Sequence, residues 1–262
     1  MTGDAAVQGA GAGPAGSGAG LVRSAHERGI TTLTLDSPEN RNALSARLVG
    51  ELADELARCA QDPRVRAVVL THTGTTFSAG ADLKRPANPY TFVALMRQIV
   101  ELPKPVVARV AGHVRAGGIG LVGACDMAVA DRASDFAFTE VRIGVAPAVI
   151  SMTVLPRLDP RSASRYYLTG EEFDASAARA AGLLTAVADD VDEVLGGLLD
   201  GLRRASPHGL AEAKKLLTAD VLEAFDRHAE DLVQRSASYF TRPEAREGVA
   251  AFLEHRDPAW VR

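Results

Sequence analysis

The stretch that most constrains the fold of this chain is residues 105–126, PVVARVAGHVRAGGIGLVGACD. Its apolar start predicts a buried β-strand, and its glycine-rich centre predicts a turn that leads into a short apolar helix near Gly117. The first N–H groups of such a helix have no intrahelical acceptor and lie at the positive end of the helix dipole. Glycine at 117 and 118 would let a ligand approach them closely. Alone, the pattern is equally typical of a strand–turn–helix packed through glycine.

A second stretch has the same character. Residues 76–84, TFSAGADLK, follow an apolar strand predicted over 67–71 and again place glycine and small residues at a strand end. Two such turns can each donate one N–H group to a single oxygen atom. Two converging N–H groups form an oxyanion hole, in which each donor stabilises a developing negative charge by about 3–4 kcal/mol.

Length and composition limit the classes of protein that need to be considered. The 262 residues, of which 47% are hydrophobic and 24% charged, suit one soluble globular domain with a terminal extension. The formal net charge of −4 offers no electrostatic basis for binding nucleic acid or an anionic membrane. No apolar run reaches the length of a membrane-spanning helix. Cys59 and Cys125 lie in apolar segments, which favours buried free thiols in a reducing cytoplasm.

Strand and helix patterns alternate along most of the chain. Two β-like runs within 21–36 predict a hairpin, and Ser45 predicts the N-cap of a helix that runs to about residue 61. The alternation indicates a βαβ-type core with a mostly parallel sheet. We therefore expect three regions, namely a disordered Gly/Ala-rich leader at 1–20, a core at 21–190 and a helical region at 191–262.

Several motifs together resemble one family. They are SPENRNAL at 37–44, FSAGADL at 77–83, the glycine-rich stretch with its flanks at 104–131, TEVRIGVAP at 139–147 and EGVAAFLEHRDPAW at 247–260. In this order they are similar to the crotonase superfamily, the enoyl-CoA hydratase/isomerase group. The resemblance implies an α/β crotonase (ClpP-like) fold of repeated ββα units with a C-terminal helical region. It also implies a homotrimer or dimer of trimers that acts on an acyl-CoA, with the helical region at 191–262 forming the trimer contacts. No cofactor is expected, because coenzyme A is part of the substrate.

The same resemblance assigns the catalytic groups. It places the two oxyanion N–H groups at Ala81 and Gly117. Hydratases of the family hold two glutamates, and here the first position is Gly120 and the second is Glu140. Because Glu140 lies between apolar residues, we expect a partly buried carboxyl whose charged form is disfavoured, which suits a proton shuttle.

The missing first glutamate leaves the reaction open. Hydration is best served by two carboxylates, whereas one carboxylate can shift a double bond by moving a proton between two carbons. A glycine at this position also resembles 3-hydroxyacyl-CoA hydrolases, and a non-catalytic acyl-CoA-binding homologue is a further alternative. His113 and Arg115 are candidates to replace the glutamate, although His113 is better interpreted as an ordinary strand-end residue.

Further residues are predicted to bind the substrate. Arg41 and Lys84 are interpreted either as contacts to coenzyme A phosphates or as solvated surface charges. Asp82 is predicted to lie at a helix N-terminus rather than to act as a catalyst. The full predicted set for substrate and coenzyme A comprises Arg41, Ala79, Gly80, Asp82, Leu83, Lys84, Gly118, Gly120 and Ile143.

Overall fold

The structure, a computed structural model, describes residues 20–262. The predicted leader at 1–20 lies outside the described residues, apart from Gly20. The main element of the structure is a six-stranded sheet of order β1-β2-β3-β5-β7-β10. The strands are β1 (Val22–Glu27), β2 (Ile30–Leu35), β3 (Ala67–His72), β5 (Val106–Val110), β7 (Met127–Asp131) and β10 (Ala186–Ala188).

The pairing within this sheet agrees with the alternating sequence pattern. β1 and β2 form the predicted antiparallel hairpin, and every other pair of neighbours is parallel. The hairpin turn at Arg28 and Gly29 has positive φ at both positions, 47° and 81°, as the twist of a two-residue hairpin requires. The predicted, mostly parallel core is therefore present.

A second, smaller sheet has the order β4-β6-β8-β9. Its strands are β4 (Thr76–Ser78), β6 (His113–Arg115), β8 (Asp135–Ala137) and β9 (Phe173–Asp174). β4, β6 and β8 are parallel neighbours, and β9 closes the sheet in antiparallel orientation. The sequence patterns did not predict β4 and β6, because they are only three residues long and lie inside the stretches interpreted as glycine-rich turns.

Nine α-helices and two 3₁₀ helices complete the described part of the chain. The α-helices are α1 (Ala46–Gln61), α2 (Pro89–Glu101), α3 (Gly117–Ala124), α4 (Ser151–Val154), α5 (Pro160–Thr169), α6 (Ala175–Ala180), α7 (Val191–Arg204), α8 (Pro207–Tyr239) and α9 (Pro243–Glu254). The 3₁₀ helices are Pro38–Asn40 and Thr139–Ile143. No helix within residues 20–262 combines the length and the apolar composition that crossing a membrane requires.

The core lies on both faces of the large sheet. On one face α1, capped as predicted by the Ser45 hydroxyl, buries its stripe of Leu48, Leu52, Leu56 and Cys59. On the other face α7 buries three apolar residues against β2, β3, β5 and β7. Both cysteines are buried and free, as predicted. The last strand ends at Ala188 and only helices follow it, yet α7 packs as part of the core.

The C-terminal helices are anchored to the core at two points. The buried Lys214 ammonium on α8 forms an ion pair with Asp126 at 2.8 Å and donates to the carbonyl of Ile99. On α9, a Cβ atom placed on Gly248 would lie 2.5 Å from the Ile143 carbonyl carbon. Because Gly248 has no side chain, α9 can lie directly against the 3₁₀ helix Thr139–Ile143.

Candidate active site

The small sheet brings together three turns that are far apart in sequence. β4, β6 and β8 are parallel neighbours, so their carboxyl ends lie at the same edge of the sheet. The chain leaves β4 into residues 79–81, leaves β6 into residues 116–117 and leaves β8 into residues 138–140. These are the three turns that carry the predicted Ala81, Gly117 and Glu140.

The turns after β4 and β6 are in direct contact. Gly80 has a φ of 87°, and its carbonyl accepts a hydrogen bond from the Leu44 N–H group at 2.8 Å. A Cβ atom on Gly80 would lie 2.8 Å from the Ala116 Cβ and 3.5 Å from the Gly117 nitrogen. Only glycine fits both this backbone conformation and this spacing. The structure therefore brings the two predicted N–H donors, Ala81 and Gly117, onto adjoining turns.

The backbone at the start of α3 is held in an uncommon conformation. Ala116 has φ 47° and ψ −117°, and its N–H group donates to the Ala137 carbonyl of β8 at 3.1 Å. A non-glycine residue in this region carries backbone strain, and such strain is concentrated at functional sites. The turn directs the chain into α3, where the first N–H groups have no acceptor within the helix. Gly117 is the first residue of that helix.

Apolar side chains surround the start of α3. A Cβ atom on Gly117 would lie 2.8 Å from Leu44 Cδ1 and 3.5 Å from Phe92 Cζ. On the other side, a Cβ atom on Gly118 would lie 2.9 Å from the Ser78 Cβ. An oxygen that develops negative charge at Gly117 would thus be placed beside low-dielectric walls, where hydrogen bonds to charge are strong.

The carboxyl group of Glu140 is buried beside these turns. The 3₁₀ helix that carries it ends at Gly144, whose φ is 76°. Among the described residues, the Oε2 atom of Glu140 has no hydrogen-bond partner. Burial raises the pKa of Glu140 from 4.5 to about 7, and a hydrogen bond from its own N–H group opposes this shift only partly. A carboxyl group with this pKa can take up and release a proton near neutral pH.

The position of the missing glutamate is filled by other side chains. A Cβ atom on Gly120 would lie 2.5 Å from Ile150 Cγ2 and 3.1 Å from the Met96 sulfur. Ile150 and Met96 are both buried. The Thr153 hydroxyl donates to the Gly120 carbonyl at 3.0 Å, which fixes the backbone from the other side. No side chain fits at position 120 without displacing Ile150.

His113 and Arg115 do not occupy that position either. Both lie on the face of β6 opposite the buried Val114. His113 contacts the Asp135 carboxylate at 2.8 Å, and Arg115 pairs with Asp135 at 2.5 Å and with Glu172 at 2.9 Å. These contacts account for both side chains.

The residues predicted to bind coenzyme A lie around the turn after β4. Arg41 has a φ of 52°, and its carbonyl accepts from the Ala79 N–H group at 2.9 Å. Among the described residues the side chains of Arg41 and Lys84 form no ion pair, and both are exposed. Leu83 is also exposed, at 39%. Ile143 instead lies with its backbone against α9.

The prediction for Asp82 is wrong in one respect. Asp82 does not begin a helix, because the next α-helix starts at Pro89. Its buried carboxylate accepts hydrogen bonds from the N–H groups of Lys84, at 2.9 Å, and Arg85, at 3.1 Å. It also accepts from the Asn40 side chain at 3.2 Å. Asp82 therefore stabilises the turn that follows Ala81.

Three side chains near the site were absent from the predicted set. Ile150 and Met96 fill the space at Gly120, and Tyr167 on α5 places its ring 4.4 Å from that of Phe138, two residues before Glu140. No local pattern identifies them, because each approaches the site from a distant part of the chain. Within residues 20–262, no three His, Cys, Asp or Glu side chains are grouped as ligands for a metal ion.

Comparison with known proteins identifies one family. The model of the enoyl-CoA hydratase/isomerase family matches residues 25–262. The 1,2-epoxyphenylacetyl-CoA isomerase of Escherichia coli is 30% identical, with 92% of this chain and 98% of the relative covered. Enoyl-CoA hydratase domain-containing protein 3 of Danio rerio is 29% identical, with 94% and 89% covered.

Solved structures give the same result. The crystal structure of an enoyl-CoA hydratase from Mycobacterium avium superimposes with a TM-score of 0.88 and 53% identity, over 92% of this chain and 99% of that one. The crotonase fold predicted from the motifs, a mixed α/β structure with a C-terminal helical region, is thereby confirmed. With its motifs, its fold and the match over residues 25–262 in agreement, the chain belongs to the enoyl-CoA hydratase/isomerase family.

Proposed function

We propose that the protein is an enoyl-CoA isomerase that shifts a double bond of an acyl-CoA thioester, with Glu140 as its one acid–base group. The observation that carries this proposal is the packing at Gly120, where Ile150 and Met96 occupy the space of a second carboxylate. Shifting a double bond needs one group that moves a proton, whereas hydration also needs a water molecule that is held and activated. The single buried carboxyl at Glu140 suits the simpler reaction.

Substrate activation is assigned to the two adjoining turns. The thioester carbonyl oxygen would accept hydrogen bonds from the N–H groups of Ala81 and Gly117. Removal of a proton from C2 places negative charge on this oxygen, and each donor would stabilise that charge by about 3 kcal/mol. The positive end of the α3 dipole acts in the same direction. Close packing of Gly80 on Ala116 supports a fixed spacing between the two donors.

Proton transfer is assigned to Glu140. In its ionised form the carboxylate removes a proton from C2 of a 3-enoyl thioester and becomes a neutral carboxylic acid. The electron pair of the broken C–H bond delocalises into a dienolate. Glu140 then returns the proton to C4, and the conjugated 2-enoyl thioester forms. A pKa of about 7 suits both halves of this cycle, because neither the acid nor the carboxylate is strongly favoured at neutral pH.

The names of the relatives do not decide between the two reactions. One relative is named an isomerase, and a structural neighbour is named a hydratase. The packing of Ile150 on Gly120 favours isomerisation, because apolar side chains stand where a second carboxylate would hold water. We further propose that the exposed Arg41 and Lys84 contact the coenzyme A phosphates, while Leu44 and Phe92 line the acyl group.

The proposal is tested with two substrates in deuterated water. We expect 3-hexenoyl-CoA to be converted to 2-hexenoyl-CoA, seen as the absorbance of the conjugated thioester and confirmed by mass spectrometry. Crotonyl-CoA should give no 3-hydroxybutyryl-CoA. Rapid formation of the 3-hydroxy product would contradict the proposal and establish a hydratase. Release of free coenzyme A would indicate a hydrolase, and binding without turnover or deuterium exchange would indicate a non-catalytic homologue.

A further inference from the structure

Two buried oxygen atoms next to the proposed catalytic turn have no hydrogen-bond partner among the described residues. They are the Oε2 atom of Glu140 and the hydroxyl oxygen of Tyr167. Buried polar groups are nearly always paired, because an unpaired one costs about 1–3 kcal/mol. Two unpaired groups in one region therefore call for a functional explanation, and one of them already belongs to the proposed site.

The helix that carries Tyr167 packs tightly on the turn that carries Glu140. A Cβ atom on Gly170, which follows α5, would lie 3.0 Å from Val141 Cγ2 and 3.1 Å from the Phe138 carbonyl oxygen. Tyr167 lies in the last turn of α5, three residues before Gly170. The Tyr167 ring lies 4.4 Å from that of Phe138, centroid to centroid, with a tilt of 45°. The phenol is thus held against the catalytic turn from the side of α5.

The charged groups on the surrounding elements are directed elsewhere. On α5, Arg165 pairs with Glu171 at 2.6 Å. The remaining charges on the turn and at the start of α9 are Arg142, Arg242 and Glu244. None of these groups contributes to the raised pKa of Glu140, which is set by burial and by its own N–H group.

Glu140, in contrast, acts on Tyr167. Burial raises the pKa of Tyr167, and the charge of the Glu140 carboxylate raises it further. The phenol therefore keeps its proton throughout the physiological pH range and remains a hydrogen-bond donor. Among the described side chains around Glu140, it is a neutral donor within electrostatic range of the carboxylate.

We propose that Tyr167 is a positioning residue, whose hydroxyl donates a hydrogen bond to the Glu140 carboxylate whenever Glu140 is ionised. This inference rests on the proposed function of Glu140 as the base. Ionised Glu140 is otherwise stabilised by one hydrogen bond, from its own N–H group. A hydrogen bond from the phenol would raise the ionised fraction of Glu140 and still leave the carboxylate basic enough to remove a proton. It would also hold the carboxyl group in one orientation.

The test measures the pKa of Glu140 directly, without substrate. Full-length protein labelled with ¹³C-glutamate is titrated by infrared spectroscopy, and Glu140→Gln identifies the Glu140 band by difference. In Tyr167→Phe we expect the pKa of Glu140 to rise by about one unit, because a hydrogen bond to the charged form is lost. The acid limb of kcat/KM for the enoyl-CoA substrate should move with it while KM stays constant.

The neighbouring Tyr166 supplies a matched control. Its ring stacks on Phe173 at 3.9 Å, away from Glu140, so Tyr166→Phe makes the same chemical change on the same helix. We expect this variant to leave the pKa of Glu140 unchanged. A second variant carries 3-fluorotyrosine at position 167, a more acidic phenol of nearly the same size, and should change the pKa of Glu140 in the opposite direction. It should lower the pKa of Glu140.

The result that overturns the inference is an unchanged pKa of Glu140 in both position-167 variants. A loss of stability in Tyr167→Phe with that unchanged pKa would assign the phenol a packing role instead. At a pH low enough to keep Glu140 neutral, the inferred role predicts no loss of stability, because the hydroxyl has no partner in the resting structure. Failure of the proposed function is seen separately, as absence of turnover by the wild-type protein in the substrate assay.

Discussion

The two positions that hold carboxylates in hydratases of the family have opposite environments in this molecule. At Gly120 the backbone is in van der Waals contact with Ile150 and Met96, and every polar group described there is paired. At Glu140 a carboxyl group is buried with one oxygen atom unpaired. The first position is optimised for packing and the second is not. The acid–base role that we propose therefore falls to Glu140.

The difference also has an energetic side. A well-packed glycine adds no buried charge, whereas the raised pKa of Glu140 means that its ionised form destabilises the folded state. A shift from 4.5 to about 7 corresponds to about 3 kcal/mol above neutral pH. A cost of this size at one side chain is typical of a functional group rather than a structural one.

The largest expected effect comes from removing the one remaining carboxylate. Glu140→Gln keeps the shape of the side chain but cannot take up a proton, so we expect kcat to fall by about 10³–10⁴-fold. Binding of an acyl-CoA, measured by calorimetry, should be nearly unchanged. Glu171→Gln is the control, because that partly exposed carboxylate pairs with Arg165 instead. Retention of activity in Glu140→Gln would assign Glu140 a structural role.

The next effect comes from forcing a carboxylate back into the packed position. Gly120→Glu should destabilise the protein by about 3–5 kcal/mol, because the side chain collides with Ile150 and buries a charge. Denaturant unfolding measures this change. Gly50→Glu is the matched control, since a Cβ atom on that exposed helical glycine has no neighbour within 4 Å. Combining Gly120→Glu with Ile150→Ala should restore part of the stability.

If Gly120→Glu is as stable as the wild type, the Ile150 side chain is easily displaced. The environments of positions 120 and 140 then differ less than the packing indicates. Hydratase activity in the Gly120→Glu, Ile150→Ala double variant would sharpen the comparison. It would mean that the missing carboxylate, and not the rest of the pocket, limits water addition.

A smaller effect of the same origin concerns stability and pH. The pKa of Glu140 is higher in the folded protein than in the unfolded chain. Its favourable contribution to the free energy of unfolding is therefore fully present below about pH 4.5 and is lost as the pH rises through about 7. Glu140→Gln is neutral at every pH. We therefore expect it to equal the wild type near pH 4 and to exceed it by about 3 kcal/mol at pH 8. Equal stability at both pH values would contradict a buried, costly carboxylate.

Local sequence patterns predicted part of the structure around the proposed site. The glycines at 80, 117 and 118 identified turns in which a Cβ atom would collide, and the apolar neighbours of Glu140 predicted its burial. These features depend on residues adjacent in sequence. The central strands β3, β5 and β7 of the large sheet were predicted for the same reason, since each is a mainly apolar run.

Features that depend on distant parts of the chain were not predicted. The small sheet that aligns the three turns is built from strands of two or three residues, too short to show a period. Ile150 reaches Gly120 from beyond the 3₁₀ helix that carries Glu140, and Tyr167 reaches Phe138, two residues before Glu140, from α5. Assembly as a trimer or a dimer of trimers, and a cytoplasmic location, stay predictions.

The measurement that tests the account most directly follows a single hydrogen through the reaction. 3-Hexenoyl-CoA carrying two deuterium atoms at C2 is converted by the wild-type protein in ordinary water, within one turnover. If one buried carboxyl serves both carbons, part of the deuterium removed from C2 should appear at C4 of the product, located by fragmentation in the mass spectrometer. Hydrogen from the solvent alone at C4 would contradict a single shielded carboxyl that carries the proton from C2 to C4.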